Sequence, residues 1–453
     1  MSNPITRREF IKGAALGVGG LALAGSRAFA DVSAPASKPN ILFIHTDQQH
    51  FDTISALGNK WLKTPNMDRL LKRGTAFTES YSASPVCCPA RACWYTGRTA
   101  SENGMLTNDY KLAPGLPDLG QWFRSRGYAT FYTGKWHIPG RPNSDGFTVI
   151  TSNPSHLGQH TDSVVSKSAQ AFLRNYSGDK PFFLNVGLLQ PHDCCHWHTA
   201  HEGYTAGCPY PRIKSELPPL PENFESVGKE PKVQEEHLAK LRKKTAAWID
   251  EFWRFYIWSY YRHVEMVDAE IGRILDALDA SRHANNTLIV WTVDHGDGLA
   301  RRKLVTKFFT YDEAIRVPMV VCPPGGRSGS SPVGGSVDRT HLVSGLDVAP
   351  TLCDYAGIEP PPLARGRSLR PLAEGKSPEW REFIVSECLV SGRMLRTPEY
   401  KFVAFKDDPV VQLFDMKADP WEMKNLAEDS GHAGTIADLR KRLDDWESKL
   451  ETV

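Results

Sequence analysis

Cysteine is scarce in this 453-residue chain. There are nine, an odd count and far too few for a small fold held together by disulfides. An excess of charge of one sign is also missing. Lys and Arg total 54 against 52 Asp and Glu, a net charge of +2, so no nucleic acid partner is expected, since such partners are met by distinctly basic faces. No apolar run approaches the roughly 20 residues that a membrane-spanning helix needs, so stable membrane insertion is not expected. Disorder is excluded in the opposite way: 41% hydrophobic and 23% charged residues are ordinary globular proportions. The length suits two or three domains, or one large α/β domain with an appendage.

The chain opens with Thr6-Arg7-Arg8, a short apolar run from Ala14 to Gly25, and Ala28-Phe29-Ala30 before Asp31. This order of charged, apolar and small residues is that of a cleaved twin-arginine signal peptide over residues 1–30. It predicts handling by the Tat export machinery and a periplasmic or secreted bacterial protein.

After it, short apolar runs at Asn40–Ile44, Ala129–Tyr132, Phe182–Val186, Leu288–Val293 and Met319–Val321 suit buried strands. Helical patterns lie between them. The clearest is Tyr261–Leu278, where Val264, Val267, Ile271, Ile274 and Leu278 recur at helical steps. The expectation is an α/β fold, with a large, mixed, mostly parallel sheet covered by helices on both faces. Residues 193–245 break the alternation. They are Cys- and His-rich, then proline-rich, then charged, and read as an insertion over the site. Trp248–Tyr261 is crowded with aromatics, read as core packing with a sugar-stacking wall as the alternative. Pro360-Pro361-Pro362 marks a boundary. The reading is thus a catalytic domain over 31–362 and a smaller C-terminal α+β subdomain over 363–453, with strands near Lys401–Phe405 and Gln412–Phe414 and a helix near Ile436–Leu450.

In parallel sheets, ligands gather at the carboxyl ends of strands. Two polar pairs stand there, Asp47-Gln48 and Asp294-His295. Carboxylate and amide oxygens with an imidazole suit a divalent cation, although an Asp after a strand is also a common helix cap.

Cys87-Cys88-Pro89-Ala90-Arg91, running on to Thr96-Gly97-Arg98, resembles the C-x-P-x-R…T-G-R signature of type I (formylglycine-dependent) sulfatases, of the alkaline phosphatase superfamily. Further segments resemble that family in chain order. They are Pro39–Asp47, Thr133-Gly134-Lys135-Trp136-His137, Pro191-His192, Asp294–Asp297, Lys307 with Tyr311–Pro318, and Leu413–Asp415 with Asp419-Pro420 and Asn425-Leu426. Together they span nearly all of the chain after its leader. The resemblance implies that Cys87 is oxidised to formylglycine by a formylglycine-generating enzyme. It implies a cation, Ca²⁺ with Mg²⁺ as the alternative, on Asp47, Gln48, Cys87, Asp294 and His295. Arg91 would hold the formylglycine hydroxyl, and Lys135 and Lys307 the sulfate oxygens. His137 would be the base and His192 the acid. The family spacing selects Lys307, four before Tyr311, over Lys303. The substrate implied is a sulfated oligosaccharide or polysaccharide.

The sequence departs from the commonest family pattern at Gln48 and His295, where many members carry Asp and Asn. That leaves two alternatives: a phosphonate monoester or phosphodiester hydrolase, and a sulfatase of choline or aryl esters. A Cys87 left unmodified would instead make a glycan-binding protein. Three structural readings complete the set. Asp297 stands behind the metal ligands or caps a helix. Glu313 and Arg316 form an ion pair. The run Cys194-Cys195-His196…His198…His201…Cys208 is pinned by a Cys194–Cys208 or Cys195–Cys208 disulfide, with a zinc site as the other reading.

Overall fold

Fourteen strands lie in the computed structural model, which describes residues 38–152, 157–325 and 335–452. The leader expected over 1–30 lies outside the described residues. The strands are β1 (Asn40–Asp47), β2 (Thr75–Phe77), β3 (Ser80–Tyr81), β4 (Ala129–Gly134), β5 (Thr148–Ser152), β6 (Phe182–Pro191), β7 (Thr287–Val293), β8 (Met319–Cys322), β9 (Ser336–Asp338), β10 (Val343–Ser344), β11 (Ile384–Cys388), β12 (Gly392–Arg396), β13 (Tyr400–Phe405) and β14 (Gln412–Asp415).

Eight of them form the main sheet, in the order β5-β4-β6-β1-β7-β8-β2-β9. The pairings from β5 through β7 are parallel, while β8 runs antiparallel to both β7 and β2. This is the mixed, mostly parallel sheet expected. Its central strands β1, β6 and β7 are buried along their whole length, which is why they read as unbroken apolar runs rather than alternating ones.

The pleat of β1 assigns its side chains. Leu42 and Ile44 enter one core with Val264, Ile271 and Trp253. Ile41 and Phe43 enter the other, with Tyr95, Phe123 and Leu352. With a period of two, His45 and Asp47 follow Phe43 onto that second face. The aromatic run and the predicted helix are one 30-residue helix, Asp250–Asp279. Trp248, Phe252, Trp253, Phe255, Tyr256, Tyr260 and Tyr261 are all buried, so core packing accounts for the run.

Residues 193–245 carry a short helix, Cys194–Ala200, and a longer one, Lys232–Thr245. The longer helix exposes most of its charges but seats Leu238 and Leu241 against Phe309, Tyr311 and Phe414. The C-terminal sheet runs β11-β12-β13-β14, antiparallel throughout. Leu439 and Leu443 of the helix Ala433–Glu447 cover one of its faces, against Leu395, Phe402 and Leu413. Met394, Val403 and Phe405 on the other face meet Tyr81, Ile315 and Leu342. Two of its four strands, β11 and β12, escaped the sequence reading, because Ser386, Glu387, Arg393 and Arg396 interrupt their apolar pattern.

Candidate active site

Cys87 opens the helix Cys87–Thr96, all ten residues of which are buried. Val86 before it is extended, and the first helical hydrogen bond runs from Ala90 N to Val86 O at 3.0 Å. Pro89 therefore falls in the first turn, where its missing N–H costs nothing. The helix N-terminus directs partial positive charge at Cys87. Arg91, four residues on, shares that face.

The guanidinium of Arg91 spans the two carboxylates. Its Nη2 meets Asp47 Oδ2 at 2.9 Å and its Nε meets Asp294 Oδ2 at 3.0 Å. Lys135 Nζ adds a contact of 2.6 Å to Asp47 Oδ2. The other carboxylate oxygens turn the opposite way. Asp47 Oδ1 lies 3.9 Å from Cys87 Sγ and 3.8 Å from His295 Nε2, and Sγ is 3.1 Å from Nε2. His295 Nδ1 is turned to Gly296 O at 2.9 Å, leaving Nε2 toward the cluster. Ligand atoms of Asp47, Cys87, Asp294 and His295 all lie within 4.8 Å of one another, and all four residues are buried. Two carboxylate oxygens, an imidazole nitrogen and a third anionic donor fit a divalent cation.

Gln48 sits in a left-handed conformation (φ 61°). Its N–H bonds Asp294 Oδ1 at 3.1 Å, and its amide oxygen accepts from Lys307 Nζ. Its Nε2 donates to Asp297 Oδ2 at 2.8 Å. Asp297 also accepts from Tyr256 Oη, Leu299 N and Thr306 N at 2.8, 2.8 and 3.0 Å. It therefore stands behind Gln48 and ties a loop, rather than capping a helix. That loop is strained: Leu299, Ala300, Arg302, Lys303, Thr306 and Phe308 all have positive φ, each at a cost on the order of 1 kcal/mol. It delivers Lys307 to Gln48. Lys303 pairs instead with Glu225 at 2.7 Å on the surface.

Two glycines allow close approaches. A Cβ on Gly134 (φ 100°), just before Lys135, would collide with the carbonyl of Gly187, and one on Gly296 with that of Glu313.

Charge tunes the groups. Burial pushes Asp47 up, but Lys135, His192, Arg91 and His295 outweigh it and hold the carboxyl well below its usual range. Burial and then Asp47 raise Asp294. Burial and Asp47 also oppose ionisation of Cys87, yet Lys307, Lys135 and His295 prevail and lower its thiol. Lys307 rises despite burial because Cys87, Cys195, Asp47 and Asp294 surround it.

His137 (φ 57°) and His192 follow Lys135 and Pro191. Both are half-buried, with Nδ1 atoms that pair with nothing. Neither belongs to the hydrogen-bond network around Cys87. His192 does lie near enough to act on the Asp47 charge.

Three expectations are corrected. All nine cysteines are free, so neither Cys194 nor Cys195 is bridged to Cys208. Both instead turn their sulfurs to Gln48 Nε2, at 3.3 and 3.0 Å, while Cys208 packs in the core near Phe252 and Leu217. The same run forms no zinc cluster among the described residues. Arg316 pairs with Glu79 at 2.6 Å, and Glu313 takes Asn223 Nδ2 at 2.7 Å, so those two are not a pair. The sequence reading also missed His45, which bonds Arg91 Nη1 at 3.2 Å, and Tyr260, whose hydroxyl bonds Gln48 O at 2.6 Å. The period of two that joins His45 to Asp47 was a usable signal. Tyr260 offered none, because it looked like core.

The sulfatase family model matches residues 39–358, and the C-terminal model of N-sulphoglucosamine sulphohydrolase matches 301–449. A Δ4,5-hexuronate-2-O-sulfatase of Bacteroides thetaiotaomicron is 32% identical, over 94% of this chain and 91% of that one. An N-acetylglucosamine-6-O-sulfatase of the same organism is 27% identical, over 91% and 87%. The solved structure of a 2-O GAG sulfatase superposes with a TM-score of 0.80 at 28% identity, covering 92% and 93%. With the cation-binding cluster, the helix that presents Cys87 and these likenesses together, the chain belongs to the sulfatase family of sulfuric ester hydrolases.

Proposed function

We propose that this protein is an exported sulfatase that removes sulfate from a carbohydrate, using a formylglycine made from Cys87. The observation that carries the reading is the convergence of Asp47, Cys87, Asp294 and His295 within 4.8 Å, beside Lys135 and Lys307. Asp47, Gln48, Asp294, His295 and the modified Cys87 hold a divalent cation, Ca²⁺ in this reading, which when bound polarises a sulfate oxygen and acidifies the attacking hydroxyl.

The chain's own groups do the rest. Lys135 and Lys307 hold sulfate oxygens where little water competes. Arg91 orients one hydroxyl of the hydrated aldehyde while the other, its proton passed to water, attacks sulfur. The bond from sulfur to the sugar oxygen breaks, and His192 protonates that oxygen as it leaves. His137 then takes the proton of the remaining hydroxyl. Its oxygen closes to the aldehyde as the carbon–oxygen bond to sulfate breaks, and water restores the hydrate. A thiol has no second hydroxyl with which to eject sulfate, which is why the cysteine must be converted.

The names of the relatives favour sulfated uronates and glucosamines as substrates. The twin-arginine leader supports export, and a formylglycine-generating enzyme is the required partner.

The test has two parts. Peptide mass spectrometry on protein made by its own host is expected to find the aldehyde at position 87. A panel of uronate 2-O-sulfate, N-sulfoglucosamine, N-acetylglucosamine 6-O-sulfate, an aryl sulfate and a phosphonate monoester is expected to show fastest release from a sugar sulfate. An intact thiol at Cys87 in active protein would overturn the mechanism. Faster hydrolysis of the phosphonate would overturn the substrate class.

A further inference from the structure

A cavity of about 430 Å³ is lined by residues that follow the site segments closely in sequence, among them Asp52, four after Gln48, and Leu299, two after Asp297. None of the candidate catalytic or metal-binding side chains lines it. Its walls include Trp61, Tyr261 and Trp421, and its charged groups are Asp52, Glu222, Lys60 and Arg301. Two of these rings stay partly open: Trp61 and Trp421 are half-buried, whereas Tyr261 is 7% exposed.

Arg301 is the unusual group. It is only 8% exposed, yet its charge is poorly met. Nε has no hydrogen-bond partner. Nη1 reaches Asn223 Oδ1 and Nη2 reaches Asp52 Oδ2, both at a long 3.4 Å. The guanidinium stacks 3.9 Å from the Trp421 ring. Its neighbour Arg302 also keeps unpartnered nitrogens, Nε and Nη1, but its Nη2 bonds the carbonyls of Trp421 and Glu422 at 2.6 and 2.9 Å, and it does not line the cavity. Burial drags the pKa of Arg301 below the usual arginine value, and the nearby Glu313 and Asp52 do not restore it. A buried cation with long contacts is a costly feature for a fold to keep. It becomes favourable when an anion arrives to take the donors.

We propose that this cavity binds a second, acidic sugar unit of the glycan substrate, with Arg301 and Lys60 on its carboxylate or sulfate and the face of Trp61 against its ring. Apolar ring faces beside the donors of Arg301 and Lys60 suit an acidic sugar rather than a neutral apolar ligand. Asp52 is placed to accept from sugar hydroxyls. The identity of the ligand as part of the substrate rests on the function proposed above, whereas the binding itself does not.

The test therefore measures binding rather than turnover. Calorimetry on Cys87→Ala protein would compare D-glucuronate, D-glucose 6-sulfate and D-glucose. One or both anionic sugars are expected to bind at least about tenfold tighter than glucose, and which of them does so tells carboxylate from sulfate recognition. Adding Arg301→Gln is expected to weaken the anionic sugar about tenfold, while adding Lys307→Ala is expected to remove only the separate binding of the sulfate ester at the catalytic cluster and to leave D-glucuronate unchanged. Trp61→Ala, which removes a half-exposed ring and no buried charge, is expected to weaken binding severalfold, and so covers the case in which Arg301→Gln fails to fold. Equal binding of glucose overturns the proposal. So does binding of every anionic sugar that depends on Lys307 but on neither Arg301 nor Trp61. Because no turnover is read, inactive protein could still confirm or overturn the cavity.

Discussion

At one end of the segment Asp294–Arg316, Asp294 faces Arg91 and Asp47; at the other, Asp312 faces Lys401 and Glu422. Both are clusters of buried charge, but they are built differently. In the second, Lys401 Nζ sits between Asp312 Oδ1 at 2.8 Å and Glu422 Oε1 at 2.6 Å, with Arg316 and Arg396 both on Glu79. Lys401 and Arg396 come from adjacent regular strands, β13 and β12, and the pairs join the C-terminal sheet to the catalytic one. In the first cluster, two carboxylates share one guanidinium, a thiol meets an imidazole, and two histidines nearby keep unpaired nitrogens. Gln48, His137 and Thr306, each at or next to a working side chain, sit in left-handed conformations. The second cluster is not free of such features, since Glu422 is left-handed (φ 56°) and Asp312 Oδ2 has no hydrogen-bond partner, but its lysine is matched by two carboxylates and ties two sheets together. Charge left partly unmatched, on strained backbone, is available for chemistry.

The contrast can be broken by substitution. Cys87→Ala should abolish turnover while leaving the melting temperature nearly unchanged, and a chelator should do the same reversibly. Residual turnover near the unsubstituted rate would remove Cys87 from the mechanism. Lys401→Met should do the reverse, stranding Asp312 and Glu422 in the interior at a cost of about 3–5 kcal/mol. Urea unfolding measures that cost, and the activity per folded molecule should persist; a loss under about 1 kcal/mol would erase the distinction between the clusters.

His192→Ala should slow sugar sulfates about a hundredfold, the usual scale for losing a general acid. Aryl sulfates, whose alcohols leave unaided, should suffer far less. Equal losses on both would show that His192 does not protonate the leaving oxygen.

The most gradual effect, spread over about three pH units, concerns Asp162, a buried acid behind the Pro191-His192 turn. It accepts from Leu189 N and Gln190 N at 2.7 and 2.8 Å. Burial raises its pKa to about 7 from an ordinary 3.8, so the folded state holds a proton that the unfolded state releases. Stability should then be full below the ordinary value and fall as pH rises toward 7, at most by about 1.4 kcal/mol per unit. Asp162→Asn should flatten that slope in melting curves taken across this range. An unchanged slope would place the titration elsewhere.

The candidate site was read through a family resemblance, and that resemblance is carried by local spacings: Asp47 ends a buried strand, Arg91 stands one helical turn from Cys87, and Lys307 stands four before Tyr311. Five of the eight strands of the main sheet, β1, β4, β6, β7 and β8, were legible because burial writes an apolar run, whereas the short β2, β5 and β9 were not. Lys401 gave no such sign, because its partners Asp312 and Glu422 lie 89 and 21 residues away in sequence.

The sequence by itself determined the parallel core, the order of the motifs and the candidate nucleophile. Only the tertiary structure decided that Gln48 faces Lys307 and Asp297, that Cys194 and Cys195 turn to Gln48 rather than to Cys208, and that Arg301 and Trp421 share one cavity. The reason is physical. Helical and strand periods bring together residues two to four apart, whereas these contacts close loops of about a hundred residues or more and exist only once the core has been buried around them.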